Sequence, residues 1–340
     1  MKTRRIAITL LIIVIFFSYG TECFVKAQRS KNPRIEFINL EKEKKVDIMI
    51  DGKLFTSYMW PDNVTKPVLY PIFTSAGTLI TRGFPLDPRP GERNDHPHQI
   101  GMWLTYGNVD GSDFWGNGSK GPGTKNPNGG VIKHLSIDKI SGGAGEGMMR
   151  TSGIWIDKSG IELLKESTEF RFIARGTTRI IDRVTTLTAG NKTVPMPDTK
   201  EGMFGIRVAR QLEVPVKEPE KESLTGNYRS SEGITGQAVW STRAKWMDLY
   251  GNIGDEKISL VICDHPDNLN YPTYWHAREY GLFSANPLGA KDFTAGKEEL
   301  NYSLPDGNSL TFKYRFIITS GSHLTDAEIN EYAEEFAKKY

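Results

Sequence analysis

The sequence that decides the fold is VIKHLSIDKI at residues 131–140, MMRTSGIWID at 148–157, IELLKESTEFRFIA at 161–174 and TTRIIDRVTTLT at 177–188. These four segments are rich in β-branched and aromatic residues, and apolar and polar side chains alternate along them. That pattern is typical of half-buried β-strands. Short turns that contain glycine, such as those at residues 158–160 and 175–176, join the segments. The stretch therefore predicts a β-meander.

Outward from this stretch, short β-like segments cover most of the chain. Val46, Ile48 and Ile50 alternate with polar residues, and Asp51-Gly52 then predicts a tight turn into a second strand at 54–60. Further strand-like segments lie at 35–40, 68–74, 78–82, 101–106, 202–214, 246–250 and 257–263. A last hairpin is predicted to pair 300–304 with 310–319 across Asp306-Gly307. Many short strands with turn signals favour an all-β sandwich or barrel, and we expect a large antiparallel β-sandwich.

The C-terminal segment is predicted to be helical. Thr325 and Glu328 have the spacing of a capping box. The apolar residues that follow recur at helical spacing and mark one face; they are Ile329, Ala333, Phe336 and Tyr340. We therefore expect a terminal helix that packs against the β-structure.

The N-terminus has the pattern of a cleavable signal peptide. Basic residues precede an apolar run at residues 6–17, and Ala27 offers a cleavage position. This predicts an exported protein, periplasmic or extracellular, with lipidation of Cys23 or a retained anchor as the alternatives. We expect residues 28–340 to form a single domain, with no second apolar run long enough to span a bilayer.

Composition excludes some partners. The formal net charge of the 340 residues is +2, which provides no field to attract nucleic acid or a membrane surface. After cleavage Cys263 is the one remaining cysteine, and it lies in an apolar run. We therefore expect a buried, inert thiol and no intramolecular disulfide.

Polar and aromatic residues concentrate at residues 91–115, GERNDHPHQIGMWLTYGNVDGSDFW. This mixture suits a concave site, with Arg93, Asp95 and Trp115 as candidate ligand-binding residues. In extended geometry His96 and His98 point the same way, so their imidazoles can converge on a substrate or on a divalent metal. A structural cluster, with Asp110 and Asp113 making turns, is the remaining alternative.

Two later segments offer further site residues. In 271–287, YPTYWHAREYGLFSANP, His276 stands among aromatic residues, and Tyr274, Trp275 and Asn286 are candidates for stacking on a sugar or bonding to it. In 201–210, EGMFGIRVAR, Glu201 stands at a strand entry. Arg207 lies in the middle of that strand, where it either lines a pocket or meets a carboxylate, because a buried charge needs a partner. His134, in an alternating strand, is interpreted as structural.

Three blocks resemble a known family: DHPHQIGMWLTYGNVDGSDFW (95–115), EGMFGIRVAR (201–210) and YWHAREYGLFSANPLG (274–289). They are similar to the PmoA-like family of secreted bacterial proteins, catalogued as "methane oxygenase PmoA". Membrane methane monooxygenase subunits are helical membrane proteins, and the sequence predicts no helical transmembrane bundle, so we do not expect methane oxidation. The resemblance implies a galactose-mutarotase-like or jelly-roll type of sandwich and a link to polysaccharide degradation.

From these residues and this resemblance we expect a carbohydrate-active protein that uses His/Glu acid–base chemistry. His96, His98, Glu201 and His276 are the expected catalytic residues, and the reaction is epimerisation or cleavage of a glycoside. Two alternatives stay open. One is a metal-dependent enzyme built on His96 and His98, and the other is a glycan-binding protein without catalysis.

Overall fold

The computed structural model describes residues 32–116, 128–216 and 223–340. The signal-peptide prediction for residues 1–27 lies outside these ranges. In chain order the strands and helices are β1 (Arg34–Leu40), β2 (Lys45–Ile50), β3 (Lys53–Met59), β4 (Val68–Ile72), β5 (Met102–Tyr106), β6 (Val131–Ser141), β7 (Gly143–Ala144), β8 (Glu146–Ile156), β9 (Glu162–Arg175), β10 (Thr178–Ala189), β11 (Val194–Met196), β12 (Gly202–Arg207), β13 (Asn227–Ser230), β14 (Trp246–Ile253), β15 (Glu256–Asp264), β16 (Tyr274–Ala277), β17 (Leu282–Asn286), α1 (Ala290–Phe293), β18 (Tyr302–Leu304), β19 (Ser309–Ser320) and α2 (Asp326–Lys339).

The described strands form two large antiparallel sheets and one small one. The nine-stranded sheet has the order β16-β17-β12-β5-β4-β3-β2-β1-β7, and the eight-stranded sheet has the order β13-β14-β15-β19-β10-β9-β8-β6. Side chains of the two sheets meet in a common core. Phe204 of β12 stacks on Tyr314 of β19 with ring centroids 5.0 Å apart, and Phe55 of β3 meets Phe172 of β9 edge-on. The predicted antiparallel β-sandwich with a C-terminal helix is therefore confirmed.

The meander predicted at residues 131–188 is present. Strands β6, β8, β9 and β10 pair antiparallel with one another in chain order. Their alternation places Trp155, Phe170 and Phe172 in the core, each at most 1% exposed. The predicted hairpin around Asp51-Gly52 is also present, because β2 pairs with β3 and Asp51 and Gly52 both have positive φ.

One predicted strand pairing is wrong. Residues 300–304 do not form a hairpin with 310–319, because β19 is already paired on both edges by β10 and β15. Strand β18 instead pairs with β11 in the two-stranded sheet. Residues 78–82 contain isolated bridges rather than a regular strand, but Leu79 pairs antiparallel with Phe73, so the two segments meet as expected for strands joined at Ala76-Gly77.

Helix α2 packs on the outer face of the eight-stranded sheet. Ile329 and Phe336 are buried in a cluster that includes Trp246, Val261 and Cys263, which confirms the prediction of a buried thiol. The helix therefore covers an apolar sheet face that would otherwise meet water.

No helix of the described residues is long and apolar enough to cross a membrane.

Removing the cap of this helix should lower its stability. The backbone N–H of Glu328 donates to Thr325 Oγ1, and Glu328 Oε2 accepts a hydrogen bond from the Thr325 backbone at 2.7 Å. We expect Thr325→Ala to reduce the free energy of unfolding by about 1 kcal/mol, because one N-terminal N–H loses its acceptor. Urea denaturation measures this, with Thr177→Ala in an exposed turn as the control. Equal losses in the two variants would contradict the role of the cap.

Candidate functional site

One end of the nine-stranded sheet carries the candidate site on its outer face. Across four neighbouring strands, His276 is opposite Ser284, Ser284 is opposite Gly205, and Gly205 is opposite Trp103. Opposed residues of an antiparallel pair share a face, so these side chains all point away from the sandwich interior. The residues that alternate with them, such as Phe204 and Phe283, belong to the core. This face is where the three sequence blocks meet.

The loop that carries His96 and His98 is fixed to this face by a buried arginine. Arg82 is 1% exposed and donates to the backbone oxygens of Asp95 (2.8 Å), His96 (2.9 Å) and Gln99 (3.0 Å). Several hydrogen bonds from one planar guanidinium hold a loop in a single geometry. Arg82 therefore sets the position of the histidine loop.

Asp95 is clamped between two buried arginines. Its Oδ1 accepts from Arg82 Nη1 at 2.8 Å and from Arg207 Nη2 at 2.9 Å, and Arg207 also donates to Gln99. Burial raises the pKa of Asp95, but the hydrogen bond from His96 and the charges of Arg207 and Arg82 outweigh it. The net pKa is well below its usual range, so Asp95 is ionised at neutral pH.

His96 stands against this carboxylate. Its Nδ1 lies 3.3 Å from Asp95 Oδ1, and its ring stacks on Tyr280 with centroids 5.0 Å apart and planes 4° from parallel. The side chain is 39% exposed, and its backbone φ of 43° is uncommon for a residue other than glycine. A carboxylate next to one nitrogen of an imidazole, together with a stacked ring, fixes the orientation of the imidazole. His96 and Asp95 thus form a dyad at the surface of the site.

Aromatic side chains border the dyad. The guanidinium of Arg278 lies 4.9 Å from the ring centroid of Trp240 and 5.8 Å from that of Tyr280. Trp240 and Tyr280 are both half-buried, so each keeps part of its ring accessible. Trp240 also contacts His276, with centroids 5.0 Å apart. The arrangement offers flat apolar surface next to hydrogen-bond donors, which suits a sugar ring.

His98 and His276 are neutral at physiological pH. Burial, together with the charge of Lys66, lowers the pKa of His98 to about 2. Burial and the charge of Lys200 lower the pKa of His276 to about 3. Because His276 Nδ1 lies 2.9 Å from the Lys200 backbone oxygen, Nδ1 carries the proton and Nε2 is the acceptor. These two histidines can hydrogen-bond, but neither supplies an imidazolium near pH 7.

The low pKa of His276 makes stability pH-dependent. Above about pH 6.5 the imidazole is neutral in both states, whereas below it the unfolded chain takes up a proton that the folded chain resists down to about pH 3. Stability is therefore lost as pH falls, by about 1.4 kcal/mol per pH unit for this group. We expect His276→Asn to show a correspondingly shallower loss between pH 6 and 4 in urea denaturation. Parallel pH curves for the two proteins would contradict this.

Glu201 follows Lys200 in the chain and acts electrostatically on Tyr280 of the site. It is one third exposed and accepts a hydrogen bond from Lys200, whose backbone oxygen bonds to His276. Burial raises the pKa of Tyr280, and the charge of Glu201 raises it further. The hydrogen bond with Gln99 and the charges of Arg207 and Arg278 act in the opposite direction. The chain therefore brings Glu201 near the ring on which His96 stacks.

Several predicted ligand-binding residues are buried, and the structure corrects them. Arg207 is fully buried and bonds to Asp95, because a mid-strand charge needs a carboxylate. Trp275 alternates with His276 and therefore points into the core, where its indole donates to the Ala244 oxygen. Trp115 lies beneath the surface, stacked near His276. None of these three side chains can contact a ligand directly.

Three other predicted residues have structural partners. Asn286 is buried and bonds to Thr199 and to the Leu288 N–H, which makes it a turn residue. Tyr274 is buried against Phe293, and its hydroxyl donates to Glu298. Arg93 is partly exposed and lies 2.9 Å from the buried Glu213. Of the three, Arg93 alone keeps an accessible charge at the site.

Other residues of the site were missed. Gln99, Arg82 and Lys66 hold the loops, and Lys66 donates to the backbone oxygens of His98 and Trp115. Trp240 borders the dyad and was also missed, whereas its neighbour Arg278 belongs to the predicted 271–287 segment. Arg82 and Lys66 stand next to loop segments rich in proline and glycine, so no periodicity marked them. A charged residue at the end of an apolar segment was the one available signal.

Among the described residues, no group of three or more histidine, cysteine, aspartate or glutamate side chains could hold a metal ion. His96 and His98 have ring centroids 5.7 Å apart and meet edge-on. A stable site needs at least a third protein ligand near two such imidazoles. The described residues around His96 and His98 therefore do not fit a metal centre.

A family model matches residues 45–334. The chain belongs to the family of unknown function DUF6807. The matched range includes every site residue named above, from Lys66 to Tyr280. A comparison with curated proteins finds no match.

Solved structures with similarity include two glycosidases. One is a β-arabinopyranosidase, 13% identical, with a TM-score of 0.32 over 87% of this chain and 39% of that one. Another is the GH36 α-galactosidase AgaB of Geobacillus stearothermophilus, 10% identical, with a TM-score of 0.39 over 84% of this chain and 41% of that one. A protein of Synechocystis sp. PCC 6803 is 9% identical, with a TM-score of 0.33 over 84% of this chain and 96% of that one. This chain thus spans about two fifths of the length of each glycosidase.

Proposed function

We propose that this protein is an exported enzyme that acts on a sugar or glycoside by acid–base chemistry at the outer face of the nine-stranded sheet. The observation that carries the proposal is the dyad. An ionised Asp95, held by two buried arginines, orients His96 at the surface beside the half-buried rings of Tyr280 and Trp240.

In this proposal His96 is the proton donor and acceptor. It gives a proton to the ring oxygen or glycosidic oxygen of the sugar, and Asp95 stabilises the imidazolium without itself being protonated. Glu201 is the partner base and takes the proton of the anomeric hydroxyl, or of water when a glycosidic bond is cleaved. Proton transfers of this kind contribute about 100- to 10,000-fold to a rate.

The remaining residues bind and orient. Trp240 and Tyr280 present ring faces to the C–H face of the sugar, and Arg278 and Arg93 donate to its hydroxyls. His98 and His276 stay neutral beneath the site and hydrogen-bond as uncharged groups. Aromatic surface beside several donors binds a polyhydroxylated ring without requiring a charged ligand.

The test is anomeric proton NMR of neutral and acidic oligosaccharides incubated with the purified protein. We expect new anomeric signals, or exchange between the two anomers, with the wild-type protein and not with His96→Gln. No change with any saccharide, or equal change with His96→Gln, would overturn the proposal. Binding without turnover would favour the alternative of a non-catalytic glycan-binding protein.

A further inference from the structure

A second groove lies next to the candidate site. Its volume is about 460 Å³, within the usual range for ligand pockets. It runs between the end of β3 and the start of β6. The side chains that line it include Lys44, Trp60, Asp62, Lys66, Lys133 and His134. Lys66 also donates to the backbone oxygens of His98 and Trp115, so it forms a wall shared with the candidate site.

Two rings in contact form one side of this groove. Trp60 and His134 have ring centroids 4.0 Å apart and planes 33° from parallel, and both side chains are half-buried. Tyr58 supports the pair from below, 5.4 Å from Trp60 and 5.5 Å from His134. The tryptophan is thus held rigidly with part of its surface accessible. A fixed, accessible indole is a surface on which the C–H face of a sugar can stack.

His134 offers a hydrogen-bonding nitrogen to the groove. Burial lowers its pKa to about 4, so the ring is neutral and carries one proton. Its Nδ1 lies 3.1 Å from the hydroxyl of Tyr58 and is occupied by that hydrogen bond. Nε2 is the remaining ring nitrogen, and a sugar hydroxyl can hydrogen-bond to it in either tautomer, because a hydroxyl both donates and accepts.

The accessible charge of the groove is that of Lys133. Among the described lining residues Lys44 pairs with the carboxylate of Asp62, and Lys66 is buried, which lowers its pKa to about 7. Lys133 is exposed on β6 and lies at the rim. An anionic group on the ligand would therefore find complementary charge at the rim, while its ring stacks on Trp60.

We propose that this groove binds a uronic acid unit of an oligosaccharide, with its ring on Trp60 and its carboxylate at Lys133. As a subsite for the same substrate, the groove rests on the proposed function, and Lys66 connects it to the loop that carries His98. Binding in the groove requires no turnover. A failed turnover assay and a failed binding assay can therefore be told apart.

The test is calorimetric titration of the full chain with trigalacturonate and with neutral galactotriose. We expect the wild-type protein to bind the acidic trisaccharide more tightly. Trp60→Ala should weaken that binding about tenfold, and Lys133→Gln about threefold. Lys139→Gln, an exposed lysine on the same strand outside the groove, should leave it unchanged.

Several outcomes would overturn the proposal. They are no binding of trigalacturonate, equal affinity for the neutral trisaccharide, or equal losses in Lys133→Gln and Lys139→Gln. If Trp60→Ala fails to fold, Trp60→Tyr and Lys133→Gln decide, since Lys133 is exposed and its replacement does not disturb the core. Tryptophan-dependent uronate binding without any turnover would leave the groove in place and remove only the proposed catalysis.

Discussion

Asp95→Asn is expected to lower kcat/KM on the responsive saccharide by about 100-fold or more. The amide cannot stabilise an imidazolium at His96 Nδ1 as the carboxylate does, so the proton donor of the site is lost. The change also leaves Arg82 and Arg207 without their common anion. Initial rates by anomeric NMR over a range of pH measure the effect, and the pH profile of kcat/KM should change shape as well as height.

The control for this variant is Asp110→Asn. Asp110 is a nearby loop carboxylate that pairs with Lys192 and does not contact His96. It should keep kcat/KM within about twofold, since surface ion pairs contribute little. A folded Asp95→Asn protein with wild-type kcat/KM would remove the dyad from the mechanism. Unfolding temperatures of both variants show whether Asp95→Asn remains folded.

Arg315→Met is expected to reduce the free energy of unfolding by about 3 kcal/mol. Arg315 and Asp182 are both fully buried, with Nε–Oδ1 and Nη2–Oδ2 distances of 2.7 and 2.9 Å. Arg315 also donates to the Tyr332 backbone oxygen of α2. Its removal leaves a buried carboxylate whose remaining side-chain partners, within the described ranges, are the more distant Lys339 and Tyr340. Urea denaturation measures the loss.

The double variant Arg315→Met/Asp182→Leu is the matched control. Removing both charges leaves no unpaired carboxylate, so we expect it to recover at least half of the stability lost by Arg315→Met. A single variant within about 1 kcal/mol of wild type, or a double variant less stable than either single one, would contradict this account of how the terminal helix is held.

Local patterns predicted the sandwich because its strands are mostly neighbours in sequence. Alternation in the meander, the Asp51-Gly52 turn and the Thr325/Glu328 cap act over a few residues, and each is present in the structure. The hairpin predicted at 300–319 failed because strand pairing is a competition for edges. Both edges of β19 are occupied by distant strands, which no local pattern reveals.

Part of the candidate site could be predicted from the requirement that a buried charge has a partner. Arg207, charged and in the middle of a strand, was expected either to line a pocket or to meet a carboxylate, and it meets Asp95. Strand alternation could also have placed Trp275 in the core, since Tyr274 and His276 share the opposite face. Arg82 and Trp240 were not predictable, because they reach the site from loops whose position depends on the whole sheet. The low pKa of His98 likewise depends on its burial in the folded chain, which no local pattern reveals.

The central claim is that His96 and Asp95 act as one acid–base unit on a sugar, and a double-mutant cycle of kcat/KM tests it most directly. We predict that His96→Gln and Asp95→Asn each lower kcat/KM by about 100-fold or more. We predict that the double variant is no more than about threefold slower than the worse single variant, because the two residues serve one proton transfer. Losses that multiply to about 10,000-fold, as for independent sites, or turnover that survives without His96, would contradict it.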